Sequence, residues 1–244
     1  MIVRNRLLNF DDKIIYQDSD YFKMSLDSVL LANFVTINLK DKNILDIATG
    51  NAPMPMLLSF RTKAKIYGIE LQKEIYSLGV KSVKENNMDN RITLINDDAK
   101  KISNYFESDS FDVIVSNPPY FNTSDDRFVN DNEIKSIARH EKYLNIEDVL
   151  KISRKLLKNG GRVAFVHRTE RLMELLFLMK KYNIEPKKIR FVYPNGKKNS
   201  DLVLIEGVKN GKSGLKILNP LFVYEDDGSY TNEVRKMYGD NNAK

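Results

Sequence analysis

The sequence predicts an α/β domain: a mostly parallel, seven-stranded sheet closed by an antiparallel hairpin, with helices on both faces. Three observations predict it. Short β-branched or aromatic runs alternate with longer helical segments, the rhythm of parallel strands joined by crossovers. The last two runs, "KIRFVYP" (188–194) and "SDLVLIEGVK" (200–209), are separated only by the basic turn "NGKKN". That link is too short for a parallel crossover, so the two pair antiparallel. Finally, no repeat, low-complexity block or linker divides the 244 residues. They read as one domain, 1–244, with an N-terminal helical extension (1–40) and a C-terminal strand and helix attachment (210–244).

In chain order, "FKMSLDSVLLANFV" (22–35) reads as an amphipathic helix with Ser25 or Asp27 near its start. Strands follow at "NILDI" (43–47), "AKIYGIE" (64–70), "RITLIN" (91–96), "FDVIVS" (111–116) and "GRVAFVH" (161–167). Helices fall near 54–61, 71–87, 145–158 and 168–182. After the hairpin, "ILNPLFVYEDDGSYTNEVRKMYGD" reads as a short strand, a tight turn at "DDGS" and a last helix. Five parallel strands ending in an antiparallel hairpin resemble the sheet of Rossmann-like class I methyltransferases. Nicotinamide dehydrogenases and flavodoxin-like proteins do not usually end that way.

Composition narrows the classes. With no cysteine there is no disulfide framework, no thiolate metal site and no cysteine nucleophile. No apolar run approaches the ~20 residues that span a bilayer, and "MIVRNRLLNFDDK" lacks the features of a secretory signal. A cytoplasmic location without membrane contact is expected. The net charge of +6 is uneven: 16 basic against 18 acidic residues before position 131, then 23 against 15. The second half therefore favours a polyanionic partner such as nucleic acid, although a solvated lysine surface has the same composition.

The first half carries the pattern of a nucleotide-type ligand site. "ILDIATGNAP" leaves a strand and enters a helix through small residues, which lets a ligand lie against the backbone. Asp46 ends the first of these strands. Glu70 ends the second, where a carboxylate can accept from both hydroxyls of a ribose. "NDDA" follows the third, and Asp98 there can accept from an adenine amine. Singly, each acid also reads as a helix cap or a turn. Together they stand at the carboxyl ends of three successive strands, the edge at which α/β sheets bind ligands. Only Gly50 remains of the glycines usual in such a loop, with Ala48 and Ala52 at the other two positions. That counts against a dinucleotide cofactor. Alanine serves at negative φ, whereas positive φ would strain it by ~1 kcal/mol or more.

The fourth strand runs into Asn117, Pro118, Pro119 and Tyr120. An exocyclic aromatic amine is a weak nucleophile because its lone pair is delocalised into the ring. Accepting hydrogen bonds from both of its N–H groups helps it become tetrahedral. The Asn117 side-chain oxygen can accept one and the Pro118 carbonyl the other, with the prolines fixing direction. Tyr120 offers a flat face to a flipped-out base. The bland alternative is an Asn-Pro turn that ends a strand.

"NPPY" resembles the amino-methyltransferases of adenine, cytosine and glutamine amide nitrogen. "FKMSLDSVLLANF", "GIELQKE", "SNPPYF", "IARHE", "VHRTERLMEL" and "RFVYP…DGSYTNE" are similar, nearly end to end, to the bacterial tRNA1(Val) adenine-37 N6-methyltransferases. The resemblance implies S-adenosylmethionine as donor, with S-adenosylhomocysteine as product; no metal is expected. It implies the adenine 3′ of a tRNA anticodon as target; no obligate protein partner is expected. It assigns Asp46, Gly50, Glu70 and Asp98, with neighbouring Ala48, Leu71, Ala99 and Asn117, to the donor. Asn117 to Tyr120 go to the base. Arg139 and His140 end a long polar connection (121–140) and are candidates for the phosphates or the base; the competing reading is that Arg139 and Glu141 pair and cap the helix beginning near Asn145. Arg168, Arg171, Lys197 and Lys198 are candidate phosphate contacts, although each singly also reads as plain surface. Two other readings stand beside this one. Release-factor glutamine methylation uses the same four residues, but only ~40 residues precede the first strand, too few for the helical domain that family carries. A decayed, RNA-binding methyltransferase fold is motivated by Ala48 and Ala52 and opposed by the retained "NPPY".

Overall fold

Strand β3 (Asn43–Ile47) lies mid-sheet, because its residues 44–47 are apolar or buried on both faces, as only a central strand allows. The computed structural model describes residues 1–10, 12–18, 24–117 and 144–240. Parallel to β3 run β4 (Lys65–Glu70) and β5 (Ile92–Asn96) on one side, and β6 (Phe111–Ser116) and β7 (Leu157–Arg168) on the other. Beyond β7 lie β9 (Leu202–Lys209) and then β8 (Ile184–Tyr193), both pairings antiparallel. The order is thus β5-β4-β3-β6-β7-β9-β8, and among these seven β9 alone is reversed. Two short strands, β10 (Lys216–Ile217) and β11 (Leu221–Phe222), add to the outer edge of β8, making nine in all.

Alternation along the strands builds two cores. Ile44, Val113, Val115, Ala164 and Val166 face α1 (Leu26–Phe34), α2 (Pro53–Ser59) and α3 (Lys73–Glu85). Leu45, Ile114, Val163 and Phe165 face α4 (Ile146–Leu156) and α5 (Leu172–Lys181). α4 starts at a full capping box: Asn145 accepts from the Asp148 N–H, and Asp148 accepts from the Asn145 N–H. The carbonyl end of α1 is held by cations. Arg61 donates to the carbonyls of Ala32 and Val35, and Lys188 to that of Phe34 at 2.8 Å. Positive charge at that end complements the helix dipole.

One sequence expectation needs correction. The first 40 residues are not only helical: β1 (Ile2–Arg6) and β2 (Ile14–Asp18) form an antiparallel ribbon separate from the main sheet. β1 buries almost nothing, so it shows no apolar alternation from which a strand could be read. At the other end, α6 (Asn232–Met237) is capped by Thr231 and tied down by a forked pair between Arg190 and Glu233 (2.6 and 2.8 Å). β7 also begins four residues earlier than expected, since its first pair, Phe111 with Leu157, precedes a register shift.

Candidate active site

The loop after β3 is held in an unusual backbone shape. Ala48, Gly50 and Ala52 have φ of 61°, 59° and 69°, all left-handed. The negative φ that alanine prefers is therefore not what these positions have. Each alanine carries a strain of about 1–2 kcal/mol, which neighbouring contacts must offset. Thr49 N–H donates to the Ile69 carbonyl (3.0 Å), and the Ala52 N–H to that of Thr49 (3.1 Å). Gly50 N–H donates to Glu70 Oε2 (2.9 Å), and Thr49 Oγ1 to Asp46 Oδ2 (2.6 Å). Gly68, across the ladder from Asp46, has no room for a side chain: a Cβ there would meet Thr49 Oγ1 and Leu94 Cδ2 at 2.8 Å.

Two acidic side chains lie beneath this loop. Asp46 is 2 % exposed and Glu70 6 %. Burial pushes the Asp46 carboxyl up to about 8; the nearby negative charge of Glu70 adds to the rise, and the Thr49 hydroxyl opposes it. Glu70 spends one lone pair of each oxygen on the backbone, accepting from Gly50 and from Gln72 N–H (2.9 Å). One lone pair on each remains, the number a ribose diol needs. The outer side of Gly50 is open, with nothing within 4 Å of where a Cβ would stand. These residues fit a nucleoside-bearing cofactor lying on the loop. At the end of β5, Asp98 Oδ1 caps the short 3-10 helix 99–104 by accepting from the Lys100 N–H (2.9 Å). Ala99 is buried and Leu71 exposed.

The acceptor side adjoins the loop. Ser116 pairs with Ile47, so Asn117 emerges beside Ala48. Its Nδ2 donates to Ser28 Oγ of α1 at 3.3 Å, which leaves the side-chain oxygen for another partner. Pro118, Pro119 and Tyr120, like Arg139 and His140, lie outside the described residues. Arg168 ends β7 half-buried, and Arg171 is engaged in a forked pair with Glu174 (2.8 and 2.9 Å). Lys197 and Lys198 occupy the turn from β8 to β9, on the same carboxyl edge of the sheet; Lys197 is 3.0 Å from Asp226, both side chains well exposed.

Several residues escaped the sequence reading. Asn51 and Ser28 meet their partners only through the fold, whereas Thr49 bonds Asp46 three residues back in the same loop. His167, buried at the end of β7, lies in the segment "VHRTERLMEL" but was given no role there. Burial, with the positive charge of Arg171 behind it, lowers its imidazole to about 4, so the ring is neutral at pH 7. Its Nδ1 accepts from the Arg168 N–H. Among the described residues no group of acids and histidines is arranged to hold a metal, and no helix is long and apolar enough to cross a membrane.

A methyltransferase domain model matches residues 38–207, more than half of the chain. The chain belongs to this methyltransferase family. Its relatives include proteins named tRNA1(Val) (adenine(37)-N6)-methyltransferase. That of Parabacteroides distasonis is 27% identical over 78% of each chain. That of Flavobacterium johnsoniae is 25% identical over 93% of this chain and 95% of its own. Among solved structures, a predicted O-methyltransferase from Agrobacterium tumefaciens superposes with a TM-score of 0.70 at 18% identity, covering 88% of this chain and 96% of that one. The methyltransferase fold is the class I, Rossmann-like one, with the strand order and single reversed strand described above.

Proposed function

We propose that this methyltransferase transfers the methyl group of S-adenosylmethionine to N6 of adenine 37 in tRNA1(Val). The observation that carries the reading is the placement of Asn117, at the start of the sequence "NPPY", directly beside the strained loop over Asp46 and Glu70. The names of the relatives support the same target.

In this reading Glu70 binds the ribose hydroxyls, and the open backbone at Gly50 receives the amino-acid portion. Asp98 reaches the adenine of the donor with its second carboxylate oxygen. The donor, when bound, supplies an electrophilic methyl on a sulfonium. Asn117 works on the acceptor. With Nδ2 committed to Ser28, Oδ1 accepts one N–H of the target amine and draws its lone pair out of conjugation. The nitrogen forms the new N–CH3 bond as the S–CH3 bond breaks, and the proton then leaves the nitrogen for solvent. No side chain must ionise for the attack.

The test is to incubate the purified protein with labelled donor and, in parallel, with bulk tRNA or with an intact release factor. Label in N6-methyladenosine of the tRNA is expected. Label in a release-factor glutamine, or in neither, would overturn the reading.

A further inference from the structure

The ribbon β1–β2 stands outside the main sheet, yet β2 is buried at four of its five positions. One edge of β2 pairs with β1. Along the other edge, three buried side chains do what a third strand would do. Asn86 grips Ile14 twice: Oδ1 accepts from its N–H (2.9 Å) and Nδ2 donates to its carbonyl (2.7 Å). Ser82 Oγ accepts from the Tyr16 N–H (2.9 Å). The next backbone group along is the Tyr16 carbonyl, and it accepts from Asn51 Nδ2 at 2.7 Å. Ser82 and Asn86 belong to α3 or its C-cap, whereas Asn51 belongs to the loop after β3.

Asn51 stands between Gly50 and Ala52, both left-handed. Glu70 holds the near side of this turn through Gly50, and Asn51 holds the far side. The same helix that grips β2 also backs the loop. A Cβ on Gly79 would come within 3.2 Å of the Asn51 carbonyl carbon and 3.4 Å of Ala52 Cβ, so α3 passes in close contact. A non-glycine residue stays at positive φ only where its surroundings over-determine it. Glycine needs no such holding.

We propose that the N-terminal ribbon is a brace for the donor loop, and that Asn51 is its positioning residue. The bond to Tyr16 keeps Gly50 and Ala52, on either side of Asn51, in the left-handed shape that receives the donor, in place of the glycine the loop lacks at position 52. The inference rests on the assignment of this loop to the donor and is independent of which acceptor is methylated.

Calorimetric titration with S-adenosylhomocysteine tests it, together with steady-state kinetics. Asn51→Ala is expected to weaken binding about tenfold, the scale of one buried hydrogen bond. The KM for donor should rise to match, with kcat at saturation within twofold of the parent. Adding Ala52→Gly to Asn51→Ala is expected to recover most of the loss, because the turn then no longer needs the brace. If Asn51→Ala does not fold, Asn86→Ala loosens β2 without touching the loop and should give the same weakening and the same rescue. Parent-like affinity in either folded variant, or no recovery with Ala52→Gly, overturns the brace. Absence of binding in the parent protein, by contrast, would overturn the donor assignment itself.

Discussion

The two ends of the carboxyl edge are built in opposite ways. Over β3 and β4, nearly every polar group is committed: Asp46 to Thr49, Glu70 to Gly50 and Gln72, Asn51 to Tyr16. Over β8 and β9, Lys197 and Lys198 project from an exposed turn, and the pair of Lys197 with Asp226 is open to water on both sides, worth little by itself. The first region is preorganised for a small ligand of fixed shape. The second is exposed charge, which in the function proposed above would attract a long polyanion whose phosphates need attraction more than exact placement. Asn117 lies between them and, with its Nδ2 bonded to Ser28, belongs to the committed side.

The largest test of that contrast is at Asn117. If it acts where charge develops, Asn117→Ala should lower turnover at saturating tRNA by about 10²–10³, as when a preorganised polar partner is lost. Donor binding measured alongside should change far less. Next is Glu70. Its carboxylate serves the loop as well as the ligand, so Glu70→Ala should weaken donor binding by about 1.5–3 kcal/mol. Calorimetry that shows parent affinity would remove Glu70 from the site.

A third test uses pH. Asp46 titrates near 8 in the folded protein against 3.8 as its ordinary value. Between those values the folded state holds a proton that the unfolded state releases. Stability from this group is therefore greatest at low pH and declines as pH rises from about 4 to about 8. Urea midpoints compared across that range should fall less in Asp46→Asn than in the parent. The same slope in both would mean Asp46 is ionised throughout. The smallest effect is expected from the exposed side. Replacing Lys197 and Lys198 together with alanine should flatten the dependence of log affinity for tRNA on log salt by roughly 1–2 units, at ~0.7–0.9 per phosphate contact. An unchanged slope would return both lysines to ordinary surface.

Legibility in the sequence followed the same divide between local and non-local physics. Strands 43–47 and 111–116 were readable to the residue, because each is an apolar run bounded by polar turns. The hairpin partner β9 was readable from the shortness of its link. The ribbon was not, because β1 is exposed and the outer edge of β2 is satisfied by side chains from residues far along the chain. In the site, Asp46, Glu70 and Asn117 could be placed from strand ends alone. Their working arrangement could not. Whether Ala48 and Ala52 have positive φ depends on contacts that the local sequence does not contain. Asn51 meets Tyr16 across 35 residues and Asn117 meets Ser28 across 89, separations with no periodicity to mark them.

The central claim is that the amine held beside Asn117 belongs to one adenine of one tRNA. The most direct measurement is methyl incorporation into two transcripts of tRNA1(Val), one natural and one with adenine 37 replaced by guanine, followed by digestion to nucleosides. One methyl group per natural transcript, recovered as N6-methyladenosine, with none in the replaced transcript, is the predicted result. Equal incorporation into both transcripts, or a methylated nucleoside other than N6-methyladenosine, would contradict it.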